Sequence, residues 1–204
     1  FLLHCLKKER EKPLVFITIG MIARIIGQDF KDLNYLATLT PFIKSSLPGK
    51  DVSAKRRSPT LETALFLCIS QLGIGVGNSI SDFVREMLDS MLATGLTQPL
   101  TECLRVLANN ISNLKKDIHD GLLKTLRMIL NTKSQRITAA KEMSSIHMSG
   151  EASYDTAVLS LALKTLGTFN FEDHSLTHFV RHLANHFISF VNCEHKEVRL
   201  EAVR

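Results

Sequence analysis

The sequence predicts an all-α fold, an α-solenoid of stacked helix pairs, from three observations. Apolar residues recur at i, i+3, i+4 and i+7 in one stretch after another, and no run alternates with the period-2 pattern of a strand. The apolar share is 45% but aromatics are only 6% and tryptophan is absent, so leucine and isoleucine carry the core. That mix suits helices burying stripes against neighbours better than a sheet sandwich.

The first unit spans 12–47. Pro13 stands at a first-turn position, where its missing N–H is no loss, and Leu14, Ile17, Met21, Ile22 and Ile25 form the expected buried stripe. The second helix of this unit runs from about Phe30 to Leu47, with Leu33, Leu36, Leu39 and Ile43 inward and a kink expected at Pro41. "PGKDVSAKRRSPT" then breaks the pattern. The second unit, 60–94, has Leu61, Leu65, Cys68 and Leu72 as one stripe, a turn at "GIGVG", and Phe83, Val84, Met87, Leu88 and Met91 as the next.

The third unit, 97–130, opens on Thr97 as cap with Pro99 behind it and buries Leu100, Cys103, Leu104, Leu107 and Ile111. Its second helix keeps Ile118, Leu122, Leu126 and Ile129 inside and Lys115, Lys116, Asp117 and Lys124 outside. Residues 131–153 lose periodicity and fill with Ser, Thr, Lys and Gly, which predicts a flexible insertion. The fourth unit, 154–192, holds helices over Tyr154–Phe169 and Ser175–Val191. A partial fifth unit, 194–204, places Val198, Ala202 and Val203 at helical spacing with no stop signal behind them. The chain therefore reads as an internal piece of something longer, with uncapped end units.

First helices beginning near residues 12, 60, 97, 154 and 194 recur at an irregular interval of roughly 40 residues, with the excess in loops. This fits HEAT- or armadillo-like units better than the stricter tetratricopeptide or ankyrin periods. A compact all-α bundle is the structural alternative.

A formal charge of +5 is a modest excess of 25 Lys and Arg scattered among 20 Asp and Glu. It suits solubility or acidic partners and does not by itself argue nucleic acid. Cys5, Cys68, Cys103 and Cys193 sit singly in apolar helical patterns without a CxxC pair, as reduced buried thiols do. The stretch "PLVFITIGMIARII" is interrupted by Arg24, short of the roughly 20 residues of a membrane span.

No constellation carries catalysis. "LGIGVGNS" offers Gly73, Gly75 and Gly77, but a helix and not a strand precedes them and no Lys follows, so an inter-helix turn is the better reading than a phosphate loop. The kinase glycine loop and its HRD and DFG companions are also missing. His174, His178, His182 and His186 recur every four residues, a spacing at which neighbouring imidazoles approach one metal ion. Four-residue steps drift by about 40° each on a 3.6-residue helix, so the set spirals and cannot share one ion. A polar contact face around His178 and His182 is expected instead.

"AKRRSPT" joins a basic cluster to a Ser-Pro step, and phosphate on Ser58 would meet Arg56 and Arg57. A solvated linker and a nuclear-import patch are the other readings of that stretch. Lys115, Lys116, Lys124, Arg127 and Lys133 form a basic run, but Asp117 and Asp120 interrupt it and no aromatic stacks beside it. Lys115 and Lys116 are read as partner contacts.

Two stretches carry a resemblance. "LALKTLGTFNFEDHSLTHFVRHLANHFISFVNCEHKEVRLEAVR" is similar to the N-terminal HEAT region of the target-of-rapamycin kinases, and "LKKDIHDGLLKTLRMIL" with "MLATGLTQPLT" resembles the section before it. The likeness runs in order along most of the chain, weakest over 131–153, with extra apolar residues at "FISFVNCEHKE". It implies a scaffold piece of a phosphatidylinositol-3-kinase-related Ser/Thr protein kinase whose catalytic domain, with its ATP and Mg, lies elsewhere in the parent. No family catalytic or cofactor-binding residue maps onto these positions. The implied partners are Raptor-like or Rictor-like subunits and a second kinase protomer. The implied setting is cytoplasmic, reaching endomembrane or lysosomal surfaces or the nucleus through the parent complex. The alternative function is a HEAT or armadillo transport adaptor carrying protein cargo.

Overall fold

The computed structural model describes residues 2–8, 10–47, 58–142, 151–171 and 176–204, and every regular element among them is helical. In chain order these are α1 (Leu2–Cys5), α2 (Lys12–Ile26), α3 (Asp29–Asp32), α4 (Tyr35–Ser46), α5 (Pro59–Val76) and α6 (Ser81–Leu92). Then come α7 (Gln98–Asn110), α8 (Lys115–Glu142), α9 (Glu151–Thr168), α10 (Thr177–Val191) and α11 (Lys196–Val203). Short 3-10 turns, Gly77–Ile80 and Ser112–Leu114, lead into α6 and α8. The fold is all-α, of the helical-repeat solenoid class. The chain divides into two compact units, Phe1–Ile118 and His119–Arg204.

In the first unit α2 packs along α5 and α5 along α7, so the long helices stack on one another across the shorter ones between them. The middle helix is buried on almost every side, through Ala64, Leu65, Phe66, Cys68, Ile69, Leu72 and Val76. Pro59–Leu92 is apolar and long enough to cross a membrane by length and composition. Yet α5 ends at Gly77 and 56% of its most apolar window is buried, as in a core helix.

Glycine sets the spacing of this stack. A Cβ on Gly20 of α2 would stand 2.9 Å from Cα of Cys68, and one on Gly75 of α5 would run into the carbonyl of Ala23. A Cβ on Gly73 would meet Cδ2 of Leu107 at 2.7 Å. The turn expected over "GIGVG" is therefore confined to Gly77, whose φ of 63° ends α5. Gly73 and Gly75 lie inside the helix because they serve helix contact, not chain reversal.

Two further expectations are corrected. The α2 stripe is not Leu14, Met21, Ile22 and Ile25, all of which are exposed; the buried face is Val15, Phe16, Ile19, Gly20 and Ala23. This helix is apolar on both sides, so periodicity offers two faces, and close approach at Gly20 selects one. The helix expected from Phe30 to Leu47 is split by Asn34, whose φ of 59° is left-handed, leaving Leu33 exposed and Pro41 inside α4. Asparagine tolerates that conformation better than most residues.

Ion pairs join α4 to α6, and α6 to the start of α8. Lys44 of α4 meets Glu86 of α6 at 2.6 Å, and Arg85 of α6 reaches Asp117 at the start of α8 at 2.9 Å while also holding Asp82 at 2.7 Å.

In the second unit α11 packs against both α9 and α10. Leu122, Leu126, Leu130, Ala162, Leu183, Phe190 and Val198 are buried there. Of the expected α11 stripe, only Val198 is buried, and Val203 is exposed. The apolar residues of "FISFVNC" extend α10 to Val191, with Phe190 fully buried and Cys193 closing the end. Arg199 donates from Nη1 to the carbonyls of Cys193 and Glu194, both at 2.7 Å, tying the turn between α10 and α11.

The insertion expected at 131–153 is largely helical: α8 continues to Glu142 and α9 begins at Glu151. Residues 143–150 lie outside the described residues. Periodicity reports a buried face and not helicity, and the stretch retains good helix formers such as Gln135, Ala139, Ala140, Lys141 and Glu142.

Candidate functional site

Lys115 and Lys116 open α8 just after the 3-10 turn. Leu114 and Ile118 on either side are fully buried, which turns Lys116 out to solvent and leaves Lys115 half-buried. Asp117 is taken by Arg85, whose guanidinium also donates to the Asn113 carbonyl at 3.4 Å. Hydrogen bonding to Asp117 is the main cause that raises the Arg85 pKa. Lys124 and Arg127 are exposed farther along the same helix, with Asp120 also exposed.

Ser58 is exposed at the N-cap of α5. His178 and His182 fall one turn apart on α10, while their side chains, like that of His186, and the whole of His174 lie outside the described residues. These sequence-chosen positions therefore sit on three different helices, α5, α8 and α10, and no described cavity gathers them.

Two grooves lie in the first unit. One, of roughly 450 Å³, runs between α5 and α7 and is lined by Thr63, Leu67, Gln71, Ile74, Glu102 and Val106 among others. The other, of roughly 350 Å³, is walled by Leu2, Leu3, Ile19, Ile22, Phe30, Tyr35 and Leu39. The carboxylate in the first, Glu102, is held by Arg105 at 2.8 Å, and the second is apolar apart from the Tyr35 hydroxyl. Neither presents a nucleophile beside a base. Cys103 also lines the first groove, but burial pushes its thiol up to about 12, and burial followed by the proximity of Cys103 does the same to Cys68. Both are inert at neutral pH. Among the described residues no three His, Cys, Asp or Glu side chains converge as metal ligands.

Two features escape sequence reasoning. His119 is buried edge-on to Phe169 and Phe171, with ring centroids 5.8 and 5.3 Å away. Its signal was present, since 119, 122, 126 and 130 share one helical stripe. The other is the exposed apolar ridge on α2, where Leu14 is 70%, Met21 58% and Ile25 82% exposed. It was read as core because periodicity cannot tell an interior stripe from an exterior one.

The described residues thus define a helical-repeat segment, a stack of helices with broad outer faces and no reaction centre. No family model matches the chain. It is 37% identical over 97% of its length to the serine/threonine-protein kinase mTor of Drosophila melanogaster. It is 29% identical over its full length to the serine/threonine-protein kinase tor1 of Schizosaccharomyces pombe, and 26% identical over 88% to the serine/threonine-protein kinase TOR of Arabidopsis thaliana. The chain is a segment of a target-of-rapamycin family protein. It spans only 8%, 9% and 7% of those relatives, and the matched region is helical and not a kinase domain.

Proposed function

We propose that the chain is a non-catalytic scaffold segment of a target-of-rapamycin Ser/Thr protein kinase, a HEAT-type stretch that presents helix faces to complex subunits and supports dimer architecture in nutrient and growth signalling. Its partners in this reading are Raptor-like or Rictor-like subunits and a second kinase protomer. ATP and Mg belong to a kinase domain elsewhere in the parent, and the setting is cytoplasmic, with endomembrane or lysosomal surfaces and the nucleus reached through the complex. The observation that carries the reading is the α2 ridge, Leu14, Met21 and Ile25, an apolar face left outside the core of the first unit. Contiguous exposed apolar surface marks protein contact. Similarity to kinases along nearly the whole chain favours this reading over a transport adaptor.

The test uses the full-length protein carrying Met21→Asp with Ile25→Asp, and separately Lys116→Glu and His182→Ala, followed by co-purification of Raptor-like and Rictor-like subunits and of a differently tagged second protomer. The expected result is loss of at least one partner in the ridge variant with kinase activity on a peptide intact. Undiminished recovery of every partner with all the variants would sink the proposal.

A further inference from the structure

We propose that Ser58 is a phosphate acceptor for a proline-directed Ser/Thr kinase, a modification site selected by the fold as well as by the motif. The chain contains two hydroxyl residues followed by proline, Thr40-Pro41 and Ser58-Pro59, and the structure treats them in opposite ways. Thr40 lies inside α4, half-buried, and its hydroxyl donates to the carbonyl of Leu36 at 2.8 Å. A kinase would have to unwind α4 to reach it.

Ser58 is exposed, and its φ of −64° and ψ of 125° already give the extended backbone in which a kinase cleft takes its acceptor. Pro59 follows at the first helical turn, where its missing N–H breaks no hydrogen bond. Serine is among the best N-cap residues, yet the Ser58 side chain makes no capping bond. Thr97, in the same position on α7, accepts one from the Leu100 amide. The Ser58 hydroxyl is thus not committed to its helix.

In the transfer, Oγ of Ser58 attacks the γ-phosphorus of ATP and the bond to the bridging oxygen breaks. ADP leaves, and the seryl proton passes to the base of the acting kinase and then to solvent. The new dianion stands four residues ahead of Glu62, whose carboxylate accepts the Thr97 hydroxyl at 2.6 Å. Charge therefore enters where the starts of α5 and α7 meet.

The full-length protein in its complex is incubated with ATP and a proline-directed kinase, beside a reference Ser-Pro peptide, and phosphate is located by mass spectrometry. Phosphate on Ser58 and not on Thr40 is expected, with loss of the signal in Ser58→Ala and in Pro59→Ala. Three results would each overturn the proposal: no phosphate on Ser58 while the peptide is turned over, undiminished transfer to Pro59→Ala, or equal labelling of Thr40. Unchanged melting temperatures of both variants show that lost signal does not come from unfolding.

Discussion

Adding one methyl group to Gly75 tests whether glycine sets the spacing of α2 against α5. The new Cβ would collide with the Ala23 carbonyl and lie 2.7 Å from Cα of Arg24, both backbone atoms of the facing helix. Carbon atoms sit comfortably at about 3.5–4.0 Å, so α2 must retreat by roughly 1 Å. Overpacking of this kind costs about 1–3 kcal/mol, against a helix-propensity gain of about 0.5–1 kcal/mol for Gly→Ala. Both obstacles are backbone atoms that cannot turn aside, which places the cost at about 2–3 kcal/mol, so the net loss is about 1–2.5 kcal/mol, or roughly 2–10 °C in melting temperature for a chain of this size. Gly20→Ala meets Cys68 Cα at 2.9 Å and is expected to behave similarly. Gly73→Ala meets only the end of the Leu107 side chain, which can turn away, so its loss is smaller. Gly167→Ala faces open space in α9 and stabilises by up to about 0.5–1 kcal/mol. Denaturant midpoints of the four variants give the order. A Gly75→Ala chain as stable as its parent, or a Gly167→Ala chain that loses as much, would refute the argument.

The buried thiols predict a one-sided pH dependence. With Cys68 and Cys103 raised to about 12, the folded state holds protons that the unfolded chain releases near pH 8.5, so their contribution is fully present below that pH and is lost as pH rises toward 12. Unfolding midpoints between pH 8 and 11 should fall less steeply in a Cys68→Ala/Cys103→Ala chain than in the parent; equal slopes would contradict this. Thr97→Ala removes the α7 cap and the bond to Glu62 and should cost about 0.5–2 kcal/mol in denaturant unfolding, with Thr97→Ser retaining most of it. Equal stability of the Ala and Ser variants would show that the cap is idle.

Helix starts were legible wherever the local chemistry is self-sufficient. Pro13 and Pro99 fall in first turns, and Thr97 caps as its neighbours predict. What failed needed knowledge of the facing element. Gly73 and Gly75 look like a turn until α2 and α7 are placed beside them, and α2 carries two apolar faces that only packing can rank. The helical continuation from Asn131 to Glu142 failed for the opposite reason, because periodicity is silent about a helix segment without a clear apolar stripe. The exposure of Lys116 and Ser58 was legible, whereas the exposed α2 ridge was mistaken for core.

Arg85 and Lys44 give the first unit an uneven sensitivity to salt. The long helices touch through close-fitting contacts that added salt does not weaken, while α4, α6 and the start of α8 are also linked by half-exposed charges that it screens. As ionic strength rises, the charged links weaken first and the glycine-spaced contacts hold.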